Sequence, residues 1–457
     1  MRARLLAVIT VVMLLVSGCS SSDSSSPAAP RAGASAAPSG QAIPQPALPG
    51  SVPVAPDSER VDLRMPTFSD PTTVTNPLFP VSRQDSVLFV GRVDGKPFRT
   101  EVTLLPYTRV IDWSGVRVET LVSQYTAYLD GRLQEVAYDL YAQADDGSVW
   151  YFGEDVADLA NGHILTKEGT WEAGKDGPAQ MIMPGDPRVG DVYRTENIPG
   201  IAFEQVTVKS TDSTLDGPFG PLQGGMVGEE LHMDGSTEDK LFAPGYGEFY
   251  TKSGPDVEAL ALAVPTDAVT SDTPTELTTL EIGADRVFDA ATSRDWQGAS
   301  GELGALTTAW SHYRAGQVPR LVEPVLSGAI ASLTRAVRAQ EVARSRQAAI
   351  DVARWSLDLQ LRYRPSSEID LARFGLWAQQ LQVDATARDA NSVNGDVFTL
   401  FYLRDRILHT LAPADVPVVN GLIGTLQIAG ADQNLAAAAK AAGRARDLVA
   451  RIEATSG

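Results

Sequence analysis

The sequence predicts an α+β protein of more than one domain, an N-terminal antiparallel all-β module followed by a C-terminal α-helical bundle or stack of helical hairpins. Two changes of pattern carry this. From Arg64 to Val264, short β-branched and aromatic runs alternate with Asp-Gly turns, and after a stretch rich in Thr, Asp and Pro the apolar residues recur at steps of three and four. The length of 457 residues leaves room for roughly two to four domains, and 43% hydrophobic against 21% charged residues supplies material for real cores.

The chain opens with Met1-Arg-Ala-Arg4, an apolar run from Leu5 to Val16, and Ser17-Gly18-Cys19. A basic start, a short apolar stretch and small residues before a cleavage point make a secretory signal peptide, here residues 1–18. Val16-Ser17-Gly18-Cys19 resembles a bacterial lipobox, and Cys19 is the one cysteine of the chain. That resemblance implies a thioether-linked diacylglycerol on Cys19, whose two or more acyl chains anchor stably where one would not. The expected location is the extracytoplasmic face of the cell membrane. Residues 19–60 are mostly Ser, Ala, Pro and Gly, the composition of a disordered tether.

Residues 61–264 form the expected β module. The runs Ser86–Val90, Glu101–Leu105, Val116–Val122, Ser148–Phe152, Glu204–Val208 and Val257–Leu262 read as strands, and Asp94-Gly95, Asp130-Gly131, Asp146-Gly147, Asp216-Gly217 and Asp234-Gly235 as hairpin turns. Asp139–Tyr151 aligns with Asp239–Tyr250, which points to two copies of one meander over about 85–154 and 190–254. The stretch from Tyr141 to Glu154 and the turn Phe242-Ala-Pro-Gly-Tyr-Gly247 resemble a group of uncharacterised exported bacterial proteins. The resemblance covers under half of the chain and implies export and an antiparallel β fold, with no activity to carry over.

A polar linker is expected over 265–283 and a helical domain over 284–457. Leu435, Ala438, Ala442, Ala445, Val449 and Ile452 make one stripe, and Asp295, Asp389, Pro413 with Asp415, and Asp432 precede helix starts. Trp355–Tyr363 alternates like a strand but lies between helical neighbours, so a central helix is expected there.

Charge narrows the function. Residues 61–282 hold 36 acidic and 15 basic side chains, whereas 283–457 hold 18 and 19. Such a field repels phosphate backbones and anionic headgroups, so no nucleic-acid partner is expected. A nucleophile elbow, a zinc-protease signature and a phosphate loop are all missing from the sequence. No catalytic residue, cofactor or metal ligand is assigned. Glu230, His232 and Asp234 share strand parity, as metal ligands would, but on so acidic a module they read as a solvated strand face. Trp113, Tyr125, Tyr128, Tyr138, Trp150, Tyr151 and Trp171 read as sheet core ahead of a ligand-binding cleft.

In the helical half, Phe401, Arg404, Leu408 and Leu411 share a stripe that places a guanidinium among apolar residues. Asp358, Glu368, Asp370 and Asp384 are its expected partners, with Asp405 and His409 as an i,i+4 pair beside it. The expected function is a non-catalytic binding or assembly component of the envelope, whose partner, protein or glycan, the sequence leaves open. Two rivals stand beside it: an envelope hydrolase using carboxylates of the β module, and a metal- or small-ligand-binding protein centred on the bundle.

Overall fold

The computed structural model describes residues 40–46 and 52–456. The expected signal peptide, Cys19 and most of the expected tether lie outside the described residues. Two six-stranded meanders make up the sheet. The first comprises β1 (Ser86–Val93), β2 (Lys96–Trp113), β3 (Val116–Leu129), β4 (Arg132–Gln143), β5 (Val149–Ala160) and β6 (His163–Thr166). Asp94-Gly95 and Asp130-Gly131 close its first and third turns with positive φ at both residues, the twist that two-residue hairpins require. After the short strands β7 (Trp171–Glu172) and β8 (Gln180–Met183), both on β5, comes the second meander. It contains β9 (Val192–Ile198), β10 (Ala202–Gly217), β11 (Gly220–His232), β12 (Thr237–Ala243), β13 (Gly247–Ser253) and β14 (Asp256–Val264).

The two meanders share one plan. In each the second strand is the longest, and the Asp146-Gly147 and Gly245–Gly247 turns both join the fourth strand to the fifth. Each also runs past the copy ends expected from sequence, to Thr166 and Val264. Of the five Asp-Gly pairs, Asp216-Gly217 is the exception, ending β10 rather than forming the turn. β1 pairs antiparallel with β14, so the meanders join side by side into one antiparallel sheet. The sheet curls until β8 lies beside β9, and residues from both ends, Trp150 and Phe152 with Tyr193, Val206 and Met226, enter one core.

The helical half starts earlier than expected. α1 (Thr275–Ser293) begins directly after Pro274, inside the stretch read as linker. Leu277, Leu280, Ala284, Val287 and Phe288 form its buried stripe, whose first turns are masked in sequence by Thr and Glu on the outer face. α2 (Trp296–Tyr313), α3 (Val322–Arg338) and α4 (Val342–Gln360) complete one up-down group. α5 (Ser366–Ala387), α6 (Ala390–Ile407), α7 (Val416–Ala431) and α8 (Leu435–Ser456) form a second, with α4 against α5 between them. Asp295 and Asp389 cap α2 and α6 by accepting from Gly298 and Ser392 backbone N–H groups. At α8 the capping oxygen is that of Asn434, two residues after Asp432. Trp355–Gln360 is helical, within α4.

Strand alternation divides the sheet into two environments. Phe98, Val102, Tyr125 and Ala127 face the hollow of the curl, while Leu88, Leu262, Tyr128, Val136 and Leu159 pack against helices. Two helix groups therefore cover the outer face of one curled sheet.

Candidate functional site: a cleft between sheet and helices

Where β2 and β3 meet α4, α5 and α6, the buried layer is ionic. Arg99 on β2 donates to Glu101 and, through both terminal nitrogens, to Asp358 on α4 at 2.7 and 2.8 Å. Arg373 on α5 donates to the same Asp358 and to Asp370. Arg406 on α6 donates to Glu101, Gln124 and Thr126. Three guanidinium groups thus meet three carboxylates, and the set is neutral. Burial alone would raise the pKa of Glu101, but Arg373, Arg99 and Arg406 hold it well below the usual carboxylate value. Charges taken out of water persist only when paired this fully, so each partner is needed by the others.

Beside this layer opens a cleft of about 640 Å³, within the size range of ligand pockets. One wall is sheet, with Val90, Arg99, Tyr128 and Arg132; the other is helix, with Val325 and Ala329 of α3, Arg354 and Trp355 of α4, and Arg373 and Trp377 of α5. Tyr128 stacks on Trp377 at 5.5 Å, and the Arg99 and Arg354 guanidinium groups lie over Trp355 and Trp377 at 5.1 and 5.3 Å. Both halves of the chain therefore build the cavity.

The residues expected to cluster around Arg404 separate. Arg404 pairs with its neighbour Asp405 at 2.8 Å and lies over Phe401, only part-buried. Asp358 and Asp370 serve the network above, Asp384 takes Arg132 and Gln380, and exposed Glu368 takes Arg364. Asp405 accepts from Tyr138 rather than forming the expected pair, and His409 is exposed on a turn, because α6 ends at Ile407. The buried guanidinium of α6 is Arg406. α6 packs between sheet and helices and is apolar on several faces, so its periodicity alone did not single out the inner one.

A second polar cluster faces the hollow of the sheet. Glu230 and His232 of β11 are joined by Glu204 of β10 and by Glu238 and Lys240 of β12, on the same face through strand register. Glu204, Glu230, Glu238 and Lys240 are buried and His232 is half-buried, not solvated as expected, while Asp234 sits in the exposed turn and accepts from Ser236. Ligand atoms of Glu204, Glu230 and His232 lie within 4.8 Å of one another. Lys240 supplies positive charge there, 2.7 Å from Glu230. Burial works against a charged His232, but Glu204, with Glu230 and Glu238, raises its pKa to about 9. On β14, separated from β12 by β13, burial and Glu248 push Glu258 up to about 7 despite a hydrogen bond from Thr100.

Of the seven aromatics read as sheet core, six are buried and Tyr138 is part-buried, and Tyr128 also lines the cleft. Arg99 and Glu101, two apart on β2, and Arg373 and Arg406 were not singled out, since the partners that join them into one network lie on other elements. No described helix is long and apolar enough to cross a membrane. No family model matches the chain, and no curated protein matches it.

Proposed function

We propose that the protein is anchored through a diacylglycerol on Cys19 to the outer face of the cell membrane and binds a small ligand, without catalysis, in the cleft between sheet and helices. The observation that supports this reading is the cleft itself: about 640 Å³, walled by residues of both halves. Its buried carboxylate Glu101 is already occupied by Arg99 and Arg406, which leaves it unsuited to act as a general acid or base. The lipobox-like segment supports the anchor, and the acidic composition disfavours nucleic acid.

Two measurements test the reading. Cys19→Ala is expected to move the protein from the membrane fraction to the soluble exported fraction; retention of the processed variant in the membrane would remove the anchor. Gly328, which lines the cleft and whose Cβ would meet nothing within 4 Å, can be replaced by Trp to fill the space. Native mass spectrometry of protein extracted from its own membranes is expected to show a bound small molecule that Gly328→Trp lacks. Identical spectra for the two proteins would count against the cleft as a binding site.

A further inference from the structure

Resting on that reading of the cleft, we propose that its ligand is an anionic amphiphile, with a carboxylate or phosphate head held by Arg354 and Arg373 and an apolar or aromatic body lying along Trp355 and Trp377. The charge of the walls leads there. Arg99, Arg132, Arg354 and Arg373 line the cleft against Glu101, Asp130 and Asp351, in a protein whose net charge is −19. Glu101 is consumed by the network, and Arg132 is consumed by Asp384 at 2.5 Å. Asp130 is exposed at the sheet turn.

Two guanidinium groups keep donor capacity. Among the described residues the nearest carboxylate to Arg354 is that of Asp351, at 3.7 Å, outside hydrogen-bond range. Burial raises the pKa of Asp351, which weakens it further as a counter-ion. Arg373 is 3% exposed and its terminal nitrogens are committed to Asp358 and Asp370, yet its Nε–H is buried with no partner. A buried donor left unmade is costly, and an anionic oxygen is the acceptor that offsets it best. Beside these donors the walls are apolar, with Val325, Ala329 and Leu376 completing the aromatic surface. A head group alone would leave that surface unused, and a neutral hydrocarbon would leave the guanidinium groups unmet.

The test uses a matched pair of fluorescent probes on the purified full chain: anilinonaphthalene sulfonate, and phenylnaphthylamine, which has the same rings without the sulfonate. The wild type is expected to bind the sulfonate more tightly and to release it to dodecanoate or dodecyl phosphate but not to dodecanol. The first two competitors distinguish a carboxylate from a phosphate ligand. Arg354→Gln should weaken the sulfonate probe by about tenfold while sparing the neutral one, Arg354→Lys should restore most of the loss, and Gly328→Trp should abolish both. Circular dichroism melts check that each variant is folded. Equal affinity for the two probes, or an unchanged sulfonate affinity in folded Arg354→Gln, would overturn the anionic head while leaving the cleft as a binding site if Gly328→Trp still removes both. Binding of both probes unchanged by Gly328→Trp would overturn the cleft reading together with this one.

Discussion

Asp358 accepts from Arg99 at 2.7 Å across 259 positions of sequence, and the same carboxylate accepts from Arg373. One side chain of α4, 0% exposed, therefore ties a sheet strand to a neighbouring helix. It has no slack, because each guanidinium group it satisfies is itself buried.

The first prediction contrasts two arginines two positions apart. Arg406→Ala leaves three buried carboxylates against two guanidinium groups and removes the donor to Glu101 Oε2, Gln124 and Thr126, and is expected to cost roughly 3–5 kcal/mol. Arg404→Ala removes a part-buried pair with Asp405 and a contact over Phe401, and should cost about 1 kcal/mol. Urea unfolding of both variants decides between this order and its reverse.

The interface also sets how the chain unfolds. Trp113, Trp150 and Trp171 report on the sheet, and Trp296, Trp310, Trp355 and Trp377 on the helices. With the two halves sharing the ionic layer and the cores on either side of it, tryptophan fluorescence and far-ultraviolet circular dichroism should give coincident urea transitions. Two separated transitions would mean that sheet and helices are stable independently.

Stability should fall as pH rises, and the cluster in the hollow sets the direction. His232 is raised from its ordinary 6.5 to about 9, so the stability it contributes is complete below about pH 6.5 and is lost as pH rises through about 9. Glu258 is raised from 4.5 to about 7, so the fold favours its neutral form, and its contribution is lost between about pH 4.5 and 7. The His232 part is on the order of 2–3 kcal/mol. Unfolding free energies from about pH 5 to 9.5 should therefore decline, and His232→Gln should flatten the upper limb. A rise between pH 6.5 and 9 would contradict the assignment.

Gly162 marks where the first meander touches α6. Its φ is +73°, a Cβ would lie 1.8 Å from the carbonyl oxygen of Asn391, and its own carbonyl accepts from Asn394 at 2.5 Å. Gly162→Ala should lower stability by at least about 2 kcal/mol, with thermal melts as the measure. An unchanged melting temperature would show that the turn and α6 do not bear on each other.

By itself the sequence determined the order of the halves, most strand and turn positions, the stripe of α8 and the caps of α2 and α6. These are local properties: a strand face repeats every second residue, a helix stripe every third or fourth, and a cap lies within one turn of what it caps. The same reading stops where partners are distant. It could see Asp358 and Asp370 as carboxylates in need of a cation, but Asp358 is met by Arg99 of β2 and Arg373 of α5, and Arg406 of α6 reaches Glu101 of β2, and the sequence around those arginines does not show which element each will face. Glu230 and His232 showed their shared face, but not which side of the sheet was closed. That depended on the seam between β1 and β14 and on the curl that brings β8 beside β9. The tertiary structure decided burial, and burial turns an acidic strand into an ion network and two remote tryptophans into the walls of one cleft.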